Sequence, residues 1–97
     1  MLYKFKSKAT AELIMLGPNG DQLLRLLGRE PSPKGIIEPQ DMHQAITDLQ
    51  QAIATDEADR GDQPQPANKV SLRQRLWPMI EMLKRAQAAG EPIVWGV

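Results

Sequence analysis

The sequence has no cysteine, 4% aromatic residues and no net charge over its 97 residues. The lack of cysteine excludes disulfides, zinc sites built on cysteine and thiol nucleophiles. Zero net charge argues against a protein that coats nucleic acid through bulk positive charge. No apolar run approaches the roughly 18 residues that a membrane span needs, and no secretory signal pattern opens the chain. We therefore expect a single cytoplasmic domain, residues 1–97, because this length supports only one core.

The charges that are present are unevenly distributed along the chain. Residues 1–37 carry six basic and three acidic groups, residues 38–62 carry one basic and seven acidic groups, and residues 63–97 carry five basic and two acidic groups. This distribution predicts a negative middle and positive ends, and solvated faces of separate elements are the simplest interpretation.

Three short segments have the pattern of strands. In residues 1–7, Tyr3 and Phe5 share one face, which is the period of a half-buried strand. Residues 12–16 form an apolar run that fits a strand or a helix, and we favour a strand paired antiparallel with the first. Residues 93–97 are too short and apolar to stand alone, so we expect them to pair with the first strand.

Three further segments have the pattern of helices, at about 20–27, 39–55 and 72–89. Asn19 offers a cap oxygen to the first helix, and Ser71 offers one to the third. The second helix has one apolar stripe at spacings of four, three and four, formed by Met42, Ile46, Leu49 and Ile53. The predicted fold class is α+β, with a small antiparallel sheet packed against three helices.

Residues 57–69 have the composition of a flexible internal linker. They contain two prolines and one glycine but no large apolar side chain. Such a stretch cannot bury enough surface to offset its ordering entropy. We expect the elements on either side to pack together within one domain.

Three segments in combination resemble a known family: LYKFKSKATAELIML, GIIEPQDMHQAI and VSLRQRLWPMIEMLKRAQAAGEPIVWG. They are similar to short bacterial proteins that form a domain of unknown function. The resemblance covers residues 1–55 and 70–97 and leaves out the acidic segment between them. It implies an intracellular bacterial protein of one domain, and it assigns no role to any residue.

Four large side chains are candidates for a protein interface. Trp77 and Trp95 make up half of the aromatic residues, and Met79 and Met82 lie close to Trp77 on the third helix. Exposed tryptophan often anchors an interface, and methionine adapts to varied partners. Burial in the core is the alternative for all four residues.

Lys4, Lys6 and Lys8 form a basic row at alternate positions of the first strand. This row could contact phosphates or an acidic partner. The alternative is that the lysines keep an edge strand from pairing with other chains.

The sequence offers no constellation for catalysis. The only histidine, His43, has no second histidine or cysteine to complete a metal site. No serine lies in a Gly-x-Ser-x-Gly context, and the glycines of Gly17-Pro-Asn-Gly20 are interpreted as a tight turn before the first helix. We expect a non-enzymatic interaction or accessory module without metal or cofactor, which binds another protein or a second copy of itself. The alternative is a weak nucleic-acid binder that uses the lysine row.

Overall fold

The computed structural model describes residues 2–60 and 71–96 of the chain. Within these ranges, the chain forms a four-stranded antiparallel sheet and three α-helices, which confirms the predicted α+β fold class. Their bounds are β1 Leu2–Ser7, β2 Thr10–Leu16, α1 Gly17–Leu26, β3 Gly35–Ile37, a 3₁₀ turn at Pro39–Asp41, α2 Met42–Arg60, α3 Leu72–Ala89 and β4 Ile93–Trp95.

The strands form one antiparallel sheet in the order β2-β1-β4-β3. β1 and β2 form a hairpin in which Leu2 lies opposite Leu16. β1 and β4 are joined at the pair Lys6 and Val94, which confirms the prediction that the first and last strands lie in one sheet. The hairpin and the pair β3–β4 are thereby held in a single layer.

The hydrophobic core lies between this sheet and the helices. Tyr3 and Phe5 of β1, together with Trp95 of β4, are buried on the face of the sheet that meets the helices. The predicted apolar stripe of α2 is buried against them, and α3 contributes its own buried side. The buried residues of α3 are Leu76, Met79, Ile80, Met82, Leu83 and Ala86.

The first helix begins earlier than its cap signal predicts. α1 starts at Gly17, with Leu16 as the capping position and Pro18 in the first turn. Proline suits that position because its missing N–H would have no partner there. Asn19 is therefore inside the helix, so the predicted cap at this residue is wrong, and Gly17-Pro-Asn-Gly20 is the first helical turn and not a turn before it.

Several other bounds differ from the sequence prediction. β2 begins at Thr10 and not at residue 12, α2 begins at Met42 after the 3₁₀ turn at Pro39–Asp41, and β4 ends at Trp95. α2 continues to Arg60, so the predicted linker is wrong for residues 57–60, and residues 61–69 lie outside the described residues. β3 was not predicted, because its three residues follow a segment with two prolines that indicates an irregular loop. The third helix matches its predicted bounds, and Ser71 and Gln74 form the predicted capping box.

Candidate interaction surface

The inner face of the sheet is closed by a row of three aromatic rings. The rings of Tyr3 and Phe5 are stacked with their centroids 5.9 Å apart, and Phe5 meets Trp95 at 5.5 Å with a tilt of 59°. The Tyr3 hydroxyl donates a hydrogen bond to the Asp21 carboxylate of α1, and the Trp95 indole N–H donates to the Ser32 carbonyl at 2.9 Å. Successive side chains of a strand point to opposite sides of the sheet, so the residues next to these rings on β1 and β4 point away from the helices.

The opposite side of the sheet is the open face, which we define by Leu2, Lys4, Lys6, Glu12, Ile14, Leu16, Ile36 and Val94. Pairing places Leu2 opposite Leu16, Lys4 opposite Ile14, and Val94 between Lys6 and Ile36. Leu2, Ile14 and Leu16 are 53%, 54% and 62% exposed, and Ile36 is 41% exposed. Among the described residues, these four and Trp77 are the exposed large hydrophobic side chains. The open face therefore concentrates the apolar surface that the fold leaves in water.

The lysine row crosses the middle of the open face. Lys4 and Lys6 are exposed on β1, which has β2 on one side and β4 on the other. The interpretation of these lysines as protection for a sheet edge is wrong, because β1 is an inner strand. On β2 the row is bordered by Ile14 and Leu16 and, opposite Lys6, by the exposed Glu12. On the other side it is bordered by Val94 of β4 and Ile36 of β3.

The row continues into a shallow groove at one end of the open face. Lys8, in the turn of the hairpin, lines this groove together with Lys6, Val94, Glu91 and Pro92. Glu91 brings a carboxylate to this end, whereas the part around Lys4 is bordered by the aliphatic residues of β2. The open face thus has a mixed-charge end and an end with basic and aliphatic side chains.

Three of the four predicted interface candidates are core residues. Trp95 is 2% exposed, and its ring covers Gly35 so closely that a Cβ at this glycine would overlap the indole. Met79 is fully buried and Met82 is 4% exposed. Both methionines lie on the side of α3 that packs on the sheet, so these three side chains are not available at the surface of this fold.

Trp77 is the candidate that lies at the surface, with 41% of its area exposed. The Arg73 guanidinium lies 5.9 Å and the Lys84 ammonium 5.5 Å from the centroid of its ring. Arg73 also pairs with Glu57 of α2, with 2.6 Å between Nη2 and Oε1. Trp77 is on the helix layer, so the structure does not bring it together with the lysine row.

The aliphatic residues of the open face are the part of the candidate site that the sequence analysis missed. The sequence analysis predicts a strand for the apolar run at 12–16 without assigning its faces, and in the structure the exposed Ile14 and Leu16 alternate with the buried Met15. The available signal was the phase of this alternation: Leu2, Lys4 and Lys6 point away from Tyr3 and Phe5, and an antiparallel partner must follow the same phase.

The structure also locates the single histidine and the groups that could bind a metal ion. His43 is exposed on α2, and residues 2–60 and 71–96 hold no group of three or more His, Asp or Glu residues that could bind a metal ion. In the same part of the chain, no helix has the length and apolar character required to cross a membrane.

Comparison with known proteins identifies a family at the level of sequence. No curated protein and no solved structure matches the chain. The model of one protein family matches residues 1–95, which is nearly the whole sequence, and its description is a domain of unknown function. This match agrees with the resemblance found in the three sequence segments, and the chain belongs to the family of the domain of unknown function DUF1840.

Proposed function

We propose that this protein is a non-enzymatic interaction module that binds another protein through the open face of its sheet. One observation carries the proposal: of the five large hydrophobic side chains exposed in the described residues, four share this uncovered face. Large exposed apolar surfaces combined with polar residues mark interaction sites on small soluble proteins, and the aliphatic residues of the open face lie on both sides of the lysine row. Removing this surface from water would supply about 25 cal/mol for each Å² that a partner covers.

The charge of the open face favours a different protein over a second copy as the partner. If two open faces met around a two-fold axis that passes near Lys4, the two copies of this lysine would lie close together. Like charges that lose water in an interface oppose association. A partner that carries a carboxylate would instead be attracted by Lys4.

A nucleic acid is the weaker candidate for the same surface. Sheets that bind single-stranded nucleic acid combine basic side chains with exposed aromatic rings, on which the bases stack. The four aromatic residues of this sequence are Tyr3, Phe5, Trp77 and Trp95. Three are buried on the inner face and the fourth is on α3, so aliphatic side chains border the lysines of the open face.

The rest of the proposal concerns reaction chemistry and location. The absence of cysteine and the exposed position of the single His43 support a module without catalytic activity. A cytoplasmic location in a bacterium is part of the proposal, and it is supported by the cysteine-free composition and by the resemblance to short bacterial proteins.

Site-specific photo-crosslinking in the native host tests the proposal. A photoreactive amino acid is placed at Ile14 or Ile36 on the open face, and at the exposed Gln50 or Gln87 on the helix layer as matched controls. We expect one partner protein to crosslink from both open-face positions and from neither control. Crosslinks confined to the helix positions would contradict the proposal, crosslinks to a second copy would replace it with self-association, and crosslinks to nucleic acid would favour the weaker candidate.

A further inference from the structure

We infer that a cavity at the start of α2 binds a free basic amino acid, a small ligand with one carboxylate and two ammonium groups on an aliphatic chain. The site is separate from the open face and does not depend on the proposed function. Three properties of the cavity lead to this ligand: its apolar floor, the three charged side chains at its rim, and the lack of ion pairs between them.

The cavity is a concave space of about 330 Å³ on the helix side of the sheet. Its floor is formed by Leu27, which packs on the core, and by the buried Ile37 and Ala45. Ile37 follows Ile36 in β3, so the cavity and the open face lie on opposite sides of the sheet. Sites for small ligands begin at about 300 Å³ and combine an apolar lining with a few polar groups. This cavity therefore suits a ligand at the small end of that range.

Three charged side chains, Arg29, Asp41 and Asp48, line the rim of the cavity. The Arg29 Nη1 donates a hydrogen bond to the Ile36 carbonyl at 3.0 Å, which holds the guanidinium beside the cavity and leaves its other N–H groups as donors. The Gln44 Nε2 donates to the Asp48 Oδ1 at 2.8 Å, which orients this carboxylate and leaves its second oxygen as an acceptor. Two of the three charged groups are thus held in place at the rim.

The charges of the rim do not neutralise one another by direct contact. Within residues 2–60 and 71–96, neither Asp41 nor Asp48 forms an ion pair with Arg29. The two aspartates are seven positions apart, which is about two turns and roughly 10.5 Å along a helix. The rim therefore offers one position for an anion and two separate positions for cations.

A basic amino acid such as lysine or ornithine complements this rim. Its carboxylate can accept two parallel hydrogen bonds from the Arg29 guanidinium, its two ammonium groups can pair with Asp41 and Asp48, and its methylene groups can cover the floor. A neutral amino acid would leave one aspartate without a partner. A divalent metal ion needs more oxygen ligands than two aspartates provide, and the described part of the chain has no group of three or more side chains that could hold one.

Calorimetric titration with L-lysine and three analogues tests this inference, because each analogue lacks one charged group. L-norleucine lacks the side-chain ammonium, ε-aminocaproate lacks the α-ammonium, and cadaverine lacks the carboxylate. Each compound is titrated against the wild type and against Arg29→Gln, Asp41→Asn and Asp48→Asn. Glu30→Gln is the matched control, because Glu30 is exposed next to Arg29 but does not line the cavity.

We expect L-lysine to bind the wild type and the Glu30→Gln control with a dissociation constant of about 1 mM or tighter. Each analogue should bind the wild type at least about tenfold more weakly, since hydrogen bonds between charged groups are the stronger class. Removing a ligand group should have no further effect in the variant that lacks its partner. Cadaverine and L-lysine should therefore bind Arg29→Gln alike, and L-norleucine and ε-aminocaproate should each equal L-lysine in one of the two aspartate variants.

Two results would overturn the inference: no binding of L-lysine to the wild type at millimolar concentrations, or equal binding of L-lysine and all three analogues. An affinity for L-lysine that the three rim substitutions leave unchanged would place its binding site elsewhere and would overturn it as well. Arg29→Gln also removes the hydrogen bond to Ile36, so its melting temperature is measured alongside. If that variant fails to fold, Asp41→Asn and Asp48→Asn, which keep this hydrogen bond, decide the inference.

Discussion

At the scale of single residues, the contact between Gly20 and Tyr3 sets the distance between α1 and the sheet. A Cβ at Gly20 would overlap the Tyr3 ring, and that ring cannot move aside because it is 2% exposed and stacked on Phe5. We predict that Gly20→Ala lowers the free energy of unfolding by about 1–3 kcal/mol, the usual cost of overpacking. Urea denaturation of the variant and the wild type measures this difference.

Asn19→Ala is the matched control for Gly20→Ala. Asn19 precedes Gly20 in the first turn of the same helix and is half-buried. Because it is not the capping residue, we expect its replacement to change the stability by less than about 0.5 kcal/mol. A loss of about 1 kcal/mol or more at Asn19, with none at Gly20, would instead indicate that Asn19 caps the helix.

The same tyrosine gives the protein a specific response to alkaline pH. The pKa of Tyr3 is raised from 10.0 to about 12. Burial of the hydroxyl is the largest cause, and the hydrogen bond to Asp21 and the negative charge of that carboxylate add to it, while the positive charge of Arg25 opposes the rise by a smaller amount. Because this pKa is higher in the folded state than in the unfolded state, the protonated Tyr3 hydroxyl favours folding. Its contribution to the free energy of unfolding is complete below pH 10 and is lost as the pH rises to 12. The rise corresponds to roughly 2–3 kcal/mol.

Two measurements check this response. Tyr3 is the only tyrosine, so the absorbance of tyrosinate reports its ionisation alone, and we expect its midpoint well above pH 10 in the folded protein. Denaturation from pH 9 to 12 should show a steeper loss of stability for the wild type than for Tyr3→Phe, which retains the other titrating groups. A tyrosinate midpoint near pH 10 in the folded protein would contradict the prediction.

At the scale of elements, α2 is held to the core by its apolar stripe. Leu49 is fully buried and Ile46 is 9% exposed, while Gln50 points into water. We predict that Leu49→Ala costs about 2–5 kcal/mol of stability through lost burial and a residual cavity. Gln50→Ala, on the exposed side of the same turn, should cost less than about 0.5 kcal/mol. Similar effects of the two substitutions in thermal or chemical denaturation would show that this stripe is not buried.

The elements that the sequence predicted are those whose periodicity extends over several residues. The stripe of α2, the capping box at Ser71 and the alternation around Phe5 each depend on local patterns, and the structure has all three. β3 could not be predicted this way, because a three-residue strand has no measurable period. It exists because β4 provides its partner at the pair Ile36 and Val94, and that pairing depends on the tertiary fold.

At the scale of the whole molecule, β4 joins two parts of the sheet that are distant in sequence. It lies between β1 and β3 and contributes the buried residues Ile93 and Trp95. We predict that a chain ending at residue 92 fails to fold, because the lost burial amounts to several kcal/mol, comparable to the stability of a small domain. A chain ending at residue 96 retains β4 and is the control. A well-dispersed NMR spectrum of the shorter chain, with an unchanged melting temperature, would show that β4 is peripheral.

The candidate site could be predicted only in part, because it belongs to the assembled sheet. The sequence indicated the lysine row and the direction in which Lys4 and Lys6 point. It could not show that Ile14 and Ile36, 22 positions apart in the chain, lie on the same face. Their common surface follows from the strand order, which the sequence leaves open.

The open face also predicts the association state of the whole protein. Its exposed Leu2, Ile14 and Leu16 favour contact between two copies, whereas Lys4 opposes it, since two unit charges 4 Å apart repel by about 1–4 kcal/mol in surroundings between water and a protein surface. The charge of Lys6 is offset by Glu12, which lies opposite it on the same face. If the repulsion between the two copies of Lys4 keeps the wild type monomeric, neutralising Lys4 should produce dimers. We predict that Lys4→Gln raises the association constant by at least about tenfold, which corresponds to 1.4 kcal/mol.

Sedimentation velocity over a range of protein concentrations measures this change, and two further variants identify its cause. Lys84→Gln removes the same charge from the helix layer and should leave the protein monomeric. Lys4→Glu restores like charges to the open face with the opposite sign, and this variant should also remain monomeric because carboxylates repel one another as ammonium groups do. Dimers of the Glu variant would show that lysine itself, and not charge repulsion, prevents association. A Gln variant that remains monomeric at every concentration would show that the open face has no tendency to pair with itself, and its exposed aliphatic residues would then depend on a partner of different shape.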